Sequence, residues 1–390
     1  MAWDELPEGW ELRRLAEVAH INMGQSPPGS SYNQEGIGLP LVGGASDLGE
    51  LYPSPSKWTS QPSKISKAGD IIICVRATIG DLNWADGEYC LGRGVAGLTA
   101  GERVEPRFLF YYLRSQHDEL NAKGIGSTFK QISKSTLQEL FIPLPPLPEQ
   151  RRIVARIEEL TERIDAARRL RAEAVEEAAA ILPTALAEVF GEAAEKEWEF
   201  KIIKEVSKRV INGSTPSRKV ADYYGGDIAW VSPADLSGQK YVSSSKETLT
   251  RKGLQEGGAR LVPKDAVLVS CTASLGKAAI AECDLTTNQQ INSVVLKEFV
   301  LPEFFYYLAL TLEPVLRRLS TKATVAYVSK TKFETIEVPI APLSEQRRII
   351  EYLDGVQVKV EAIRRCQAET QQEIEAMTGA VLERAFRGEL

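Results

Sequence analysis

The chain has 390 residues, a net charge of −6 at pH 7, 43% hydrophobic side chains and 26% charged ones. That is enough apolar material for two or three cores, and too mixed a composition for a collagen-like, disordered or membrane-embedded protein. No apolar run approaches the ~20 residues of a spanning helix, and Met1 to Trp10 carries acids where a signal peptide carries bases, so a cytoplasmic location is expected.

Five scattered cysteines without a C-x-x-C pair predict reduced packing thiols rather than a disulfide framework or zinc knuckle. Two histidines, His20 and His117, leave little for histidine metal sites or Ser-His-Asp triads. Neither a G-x-x-x-x-G-K-[ST] phosphate loop nor a G-x-G-x-x-G turn occurs, so the chain offers no nucleotide motor or dinucleotide redox site of its own.

In chain order, residues 1–148 show short β-branched runs such as Asp70 to Val75, bounded by Gly, Pro, Ser and Asn clusters, as in a β-rich module. A helix opens at Pro148-Glu149, with an acid near its positive end, and is expected to break at Pro183. From Trp198 the pattern begins again. Ile142 to Ile153 (IPLPPLPEQRRI) and Val338 to Ile349 (VPIAPLSEQRRI) agree at eight of twelve positions at an offset of 196 residues. Trp10-Glu11 matches Trp198-Glu199 at an offset of 188, so an insertion of eight residues is expected within about Ser237 to Pro263. The second helix is expected to take Ser344 as N-cap and to weaken at Gly379, the counterpart of Pro183.

Apolar residues in both helices alternate in steps of three and four: Ile153, Ile157, Leu160, Ile164 and Ala167 in the first, Ile349, Leu353, Val356, Val360 and Ile363 in the second. This is a heptad seam, with Arg171 a polar intruder. The intervening module must return the chain, so the helices are expected to pair antiparallel. The 34 residues from Glu149 to Leu182 make a rod of roughly 50 Å. Beyond each expected break lies an apolar tail, carrying Leu186, Val189 and Phe190 or Leu382 and Phe386, which predicts a binding surface for a partner.

The expected fold class is therefore α+β: two globular modules, 1–148 and 191–344, separated by two long helices, 149–190 and 345–390, forming an antiparallel coiled coil with an internal pseudo-two-fold repeat. Residues 198–344 carry 19 basic and 15 acidic side chains, whereas residues 1–148 carry 13 and 17. Only the second module is basic, so nonspecific DNA binding by the chain alone should be poor.

Equivalent loops of the two modules nevertheless carry side chains suited to phosphates or base edges. In the first they are Arg76, Thr78, Arg93, Ser127, Thr128, Lys130 and Lys134. In the second they are Ser214, Thr215, Arg218 and Lys219; Thr272, Ser274 and Lys277; Asn288, Gln289 and Gln290; and Thr324, Tyr327 and Lys330. Arg can bond guanine bidentately, and Asn or Gln can bond adenine.

The paired PLPEQRRI and PLSEQRRI helix starts, the Trp-Glu openings, the Asn-(x)-Gly-x-x-Pro loops and the Ser133-Lys134 and Ser329-Lys330 stretches together resemble the specificity subunit of type I restriction-modification systems. The resemblance covers essentially the whole chain. It implies two target-recognition domains reading the halves of a split, asymmetric site in double-stranded DNA, with the helices as a ruler. It also implies a subunit without catalysis, recruiting two methyltransferase subunits that bring S-adenosylmethionine and two restriction subunits that use ATP and Mg²⁺.

The residues agree with that division. An adenine methyltransferase needs an Asn/Asp-Pro-Pro-Tyr/Phe tetrapeptide, and Pro27-Pro28 and Pro145-Pro146 stand in other contexts. A self-contained DNA-processing enzyme would rest on the E-x-K fragment Glu199-Phe200-Lys201, which the first copy replaces with Glu11-Leu12-Arg13. A structural scaffold without a DNA role is the other alternative.

Overall fold

In the computed structural model, residues 6–126, 130–236, 238–320 and 326–390 are described. The chain forms two compact units, residues 1–171 with 368–390 and residues 172–367. Each unit joins one β-rich module to half of each long helix, Leu147–Gly191 and Leu343–Phe386.

In the first unit the main sheet runs Ala19–Met23, Val95–Ala100, Ile71–Cys74 and Leu82–Trp84, antiparallel throughout. Its strand Ile71–Cys74 is an unbroken apolar run because both faces are covered. Ile71 and Ile73 face a core shared with the helices, while Ile72 and Cys74 face a smaller core with Val42 and Leu91. A second sheet carries Tyr32–Asn33, Trp58–Thr59, Leu39–Val42, Tyr89–Leu91 and Ile65–Ser66.

The second unit repeats this plan. Val267 and Val269 face its helix-side core and Leu268 the other. It gains a fifth main-sheet strand, Tyr241–Val242, parallel to Ala278–Ala281. The expected insertion also resolves. Strand Thr248–Leu249 lies 190 residues after its counterpart Trp58–Thr59, and Leu261–Val262 lies 196 after Ile65–Ser66. Most of the extra chain is the short helix Arg251–Gln255, capped by Thr250 Oγ1.

A two-stranded ribbon ties the start of each module to the segment before its long helix: Glu11–Arg14 with Phe141–Leu144, and Glu199–Ile202 with Glu337–Ile340. The residue that locks this junction is a buried glutamine. Gln150 Oε1 accepts the Glu105 N–H at 2.8 Å, and its amide donates to the carbonyls of Arg103 and Pro145. Gln346 does the same with Leu301, Phe299 and Ala341. Each pins the N-terminus of a short helix, Pro106–Ser115 or Pro302–Leu310, to the first turn of a long one.

Within each unit the two long helices run antiparallel. In the first, Ile153 and Ile157 share a core with Leu382 and Phe386, and Arg168 Nη2 donates to Thr378 Oγ1 at 3.1 Å. In the second, Leu186 packs in one core with Ile349 and Leu353, and Gln367 donates to the Ala174 carbonyl at 2.9 Å.

Several expectations need correction. The first helix continues through Pro183 and the second through Gly379. An internal proline costs about 3 kcal/mol, which the packing of Leu186 and Phe190 just beyond it offsets. Ser344 is not the N-cap, since the second helix begins at Leu343 and Gln346 N bonds the Pro342 carbonyl. The seam is apolar at Ile153, Ile157, Ile164, Ile349, Leu353 and Val360, which are buried, and looser at Leu160 and Val356, which are half-buried. Ala167 and Ile363 are exposed. Arg171 turns inward instead, its Nε and Nη2 buried without hydrogen-bond partners.

The apolar tails are not free surfaces for another protein. Phe386 is fully buried, with Phe108 and Tyr112 edge-on at 5.2 and 5.4 Å, and Leu382 is buried beside it. Phe190 packs on Phe304 and Trp198, with Val189 half-buried and Leu186 buried in the same core. The tails serve as the fourth wall of each unit's own core.

All five cysteines are unbridged thiols. Burial pushes Cys74 up to about 11 and Cys271 up to about 12, as expected of packing residues. Among the described residues no helix is long and apolar enough to cross a membrane.

Candidate nucleic-acid interface

In both units the loops singled out by sequence converge on one rim of the module, because each is hydrogen-bonded to the next. In the second unit the loop after strand Ser207–Asn212 lies against the Asn288–Gln290 turn. Gly213 N bonds the Ile291 carbonyl at 3.1 Å and Ser214 N the Thr287 carbonyl at 2.9 Å. A Cβ at Gly213 would sit 2.0 Å from the Asn288 carbonyl oxygen, so only glycine permits this approach. Gly24 plays the same part in the first unit, 2.1 Å from the Gly92 carbonyl oxygen by the same construction.

The next contact runs from that turn to the loop after the central strand. Cys271 N bonds the Gln290 carbonyl at 2.8 Å, Ala273 N the Ala326 carbonyl at 3.0 Å, and Thr272 bridges Tyr327. The first unit repeats these links: Val75 N bonds Gly94, Ala77 N bonds Lys130, and Arg76 bridges Gln131. Both loops turn on an alanine in the left-handed region, Ala77 at φ 58° and Ala273 at φ 55°. An L-residue with a Cβ enters this conformation only at a cost of about 1–2 kcal/mol. Nothing in the sequence signals it, since alanine is not a turn residue.

The chemistry of the two rims differs. In the first, Arg76, Thr78, Arg93, Lys130 and Lys134 are exposed. Among the described residues none of its four cations has a carboxylate in ion-pair range. They form a locally positive edge on a module whose overall charge is negative. Lys134 is the first residue of a short helix capped by Ser133, and the Ser-Lys pair of the second unit does likewise, with Lys330 Nζ 3.5 Å from Glu334.

In the second rim Thr215, Ser274, Lys277, Gln289, Tyr327 and Lys219 are exposed, while Thr272 and Gln290 are half-buried. Thr215 Oγ1 donates to Gln289 Oε1. Asn212 donates to the Gln289 carbonyl at 3.3 Å and to Asn292 Oδ1 at 3.0 Å.

Three of the expected side chains are engaged within the unit. Asn288 is buried, its Nδ2 donates to Gln290 Oε1 at 2.9 Å, and its Oδ1 accepts the Gln290 N–H. Its amide shapes the turn and is not available to a base edge. Arg218, expected among the phosphate contacts, is engaged on two sides. Its Nη1 and Nη2 bond Glu247 at 3.0 and 2.7 Å, and its guanidinium lies over the rings of Tyr224 and Trp230. Hydrogen bonding to Glu247 raises the Arg218 pKa, and the same contact lowers that of Glu247. Ser214 spends its hydroxyl on the Gly258 carbonyl at 2.7 Å. Ser127, Thr128 and Thr324 lie outside the described residues.

Sequence reasoning missed the supports behind this rim. Asp235 accepts from Ser232 N, Ser232 Oγ and Lys246 N at 2.7–2.8 Å. Burial pushes its carboxyl up, but these bonds outweigh burial and hold it below the ordinary aspartate range. The Asp-Leu repeat at Asp47-Leu48 and Asp235-Leu236 was the available signal: Asp47 accepts the Gly43 N–H at 2.7 Å in the same way. The E-x-K fragment lies on the two-stranded ribbon, where Lys201 Nζ is 2.8 Å from Glu199 and the two charges compensate each other.

Comparison with known proteins places this architecture. The family model for the type I restriction modification DNA specificity domain matches twice, over residues 7–176 and 195–374. Two proteins of Methanocaldococcus jannaschii named as type I restriction enzyme specificity subunits, MjaX and MjaIX, are 42% and 35% identical over 168 residues. Those matches cover 42% and 41% of this chain and about two fifths of each relative's own length, 40% and 39%.

Among solved structures, a chain from work on complex assembly and conformational transition of the type I R-M system superposes with a TM-score of 0.80. It is 28% identical and covers 99% of this chain and 100% of that one. The HsdS subunit from Thermoanaerobacter tengcongensis superposes at 0.66, also 28% identical, over 99% and 98% of the two chains. With both modules matched, the chain belongs to the family defined by the type I restriction modification DNA specificity domain.

Proposed function

We propose that this chain is the DNA-reading and assembly subunit of a type I restriction-modification complex. Each module reads one half of a bipartite, asymmetric site in double-stranded DNA, and the paired helices set the interval between the halves. The chain does no bond chemistry. Methylation belongs to two methyltransferase subunits carrying S-adenosylmethionine, and cleavage to two restriction subunits using ATP and Mg²⁺, all assembled on this chain in the cytoplasm. The observation that supports this reading is the doubled rim: equivalent loops are bonded together in the same way in both units but carry different side chains, Arg93 standing where Gln289 stands. One backbone frame with two sets of outward side chains suits two different half-sites.

The test is to co-express the chain with a type I methyltransferase subunit and map methylated adenines across a genome. A motif of two short halves separated by a fixed unspecified gap is expected. Exchanging residues 198–342 for those of a relative should change one half only. A contiguous motif would contradict the bipartite reading, and an exchange that leaves the motif intact while altering assembly would favour a scaffold without a DNA role. Methyl transfer or cleavage by the purified chain alone would favour a self-contained enzyme.

A further inference from the structure

Arg218 stands out because almost everything around it is committed to the loop that carries it. The loop runs from Ser214 to Lys219 at the second rim. Trp230 Nε1 donates to the Ser214 carbonyl at 3.0 Å, and Tyr224 Oη donates to the Pro216 carbonyl at 2.6 Å. The guanidinium of Arg218 sits 4.8 Å from the Tyr224 ring centroid and 5.2 Å from that of Trp230, while its fork grips Glu247.

Glu247 is itself held. Its carbonyl accepts the Trp230 N–H at 3.2 Å and the Ser245 hydroxyl at 2.6 Å, and Ser245 Oγ accepts the same Trp230 N–H at 2.8 Å. Trp230 and Tyr224 lie on one strand, Tyr224–Val231, so the loop is fastened to that strand at three points along its length. Among its described residues the first unit has no such arrangement. Aligning Gly24 with Gly213, the counterparts of Arg218, Tyr224 and Trp230 are Gly29, Glu35 and Leu41.

We propose that Arg218, Glu247, Tyr224 and Trp230 form a clamp that presets the Ser214–Lys219 loop of the second unit, so that Arg218 is a positioning residue for reading the second half-site rather than a phosphate contact. The inference rests on the DNA-reading function proposed above and adds how one of its loops is made rigid before DNA arrives. Stacked and bidentate arginines fit this role because the planar fork fixes direction as well as charge, which lysine cannot copy. Phosphate contact then falls to the neighbouring Lys219, exposed and, among the described residues, without an ion-pair partner.

The two roles predict opposite behaviour for Glu247. If Arg218 served phosphate, Glu247 would compete with it, and Glu247→Ala would leave DNA affinity unchanged or improve it. A clamp loses function whichever jaw is removed. The experiment measures binding of the full chain, assembled with its methyltransferase subunits, to a duplex bearing the mapped methylation motif, across a salt series. Arg218→Ala, Arg218→Lys and Glu247→Ala should each weaken binding by about 3- to 10-fold. Their salt slope should stay unchanged, and discrimination should fall for base changes in the second half-site only. The Arg218→Ala/Glu247→Ala double variant should be no worse than either single one. Lys219→Ala should instead flatten the slope by about 0.9.

A flattened slope for Arg218→Ala with a neutral Glu247→Ala overturns the proposal, as does full activity of both. Hydrogen exchange keeps the test independent of DNA. Both single variants should speed exchange of the Ser214 and Val220 amides without lowering protection of the Val267–Ser270 strand. Unchanged exchange sinks the clamp, whereas faster exchange in an assembly that binds no DNA leaves the clamp standing and removes the DNA-reading function.

Discussion

The side chain of Gln150, wholly buried, accepts the backbone N–H of Glu105 at 2.8 Å while its amide satisfies the carbonyls of Arg103 and Pro145. Three backbone groups that would otherwise be orphaned at a buried junction depend on one residue. Gln150→Leu keeps the volume and strands all three, at about 1–3 kcal/mol for each group that water cannot reach. A loss of about 2–5 kcal/mol is expected in urea unfolding of the full chain, with the first unit melting early. Gln346→Leu should do the same to the second unit, and a loss below 1 kcal/mol in both would show that water replaces the amide.

The second unit contains a further charge clamp, with no counterpart among the described residues of the first. Lys240, its side chain 10% exposed, reaches Asp354 at 2.5 Å and lies over the Tyr307 ring, whose hydroxyl donates to the same carboxylate. Burial and the adjoining Asp354 raise the Tyr307 pKa. Lys240→Met leaves Asp354 facing Tyr307 alone. Asp354 is partly exposed, so the expected loss is about 1–3 kcal/mol, below that for a fully buried pair. Thermal unfolding followed by hydrogen exchange at the Tyr241–Val242 strand should register it there first.

Phe386 supplies the next prediction. Phe386→Ala should lose about 3–5 kcal/mol through the cavity left between Phe108 and Tyr112. Binding to a methyltransferase subunit at a temperature where the variant stays folded should be unaffected, because the ring is not at the surface. Weakened binding without weakened folding would return this tail to the role of a docking surface.

Arg171 should be replaceable at a gain. Its Nε and Nη2 are buried without partners, a state that costs more than apolar replacement when the shape is kept. Arg171→Leu or Arg171→Met should stabilise the chain by about 1–2 kcal/mol in chemical unfolding. Destabilisation would mean that the guanidinium holds the helices in register despite its missing bonds.

Acid should weaken the second rim through Asp235. Its folded pKa lies below the unfolded one, so its contribution is complete above the ordinary aspartate range and is lost as pH falls through the lowered folded value. Wild-type chain should therefore exceed Asp235→Asn in stability at pH 7 and converge with it as pH falls through the lowered folded value. A difference independent of pH would assign the effect to shape rather than charge.

The repeat, the helices and the loops of the rim were legible because each is written in local patterns: eight identities in twelve residues at a fixed offset, three-four spacing, and Gly-Pro-Asn clusters. What escaped depends on partners far along the chain. Gln150 reads as an ordinary helix residue until Arg103 and Glu105 are brought beside it. Arg218 reads as a free cation because Glu247 is 29 residues away, and the tails read as sticky because Phe108 and Phe304 lie on distant helices. The intrinsic propensity of Pro183 predicts a break, which tertiary packing overrides. Ala77 and Ala273 had no signature at all, since their left-handed turns are imposed by the bonds to Lys130 and Ala326.

That Phe386 completes the core around Phe108 has a consequence for the order of synthesis. The first module lacks a wall that is translated well after it, so the apolar face around Phe108 must wait for Leu382 and Phe386 before it can close. The later module has the wall from Leu186 already made when its own sheet emerges, and its remaining wall, with Ile349 and Leu353, follows directly after that module. A ribosome stalled once Gln367 has emerged would hold a completed second unit and an unfinished first, and chaperones would find their target in the earlier module.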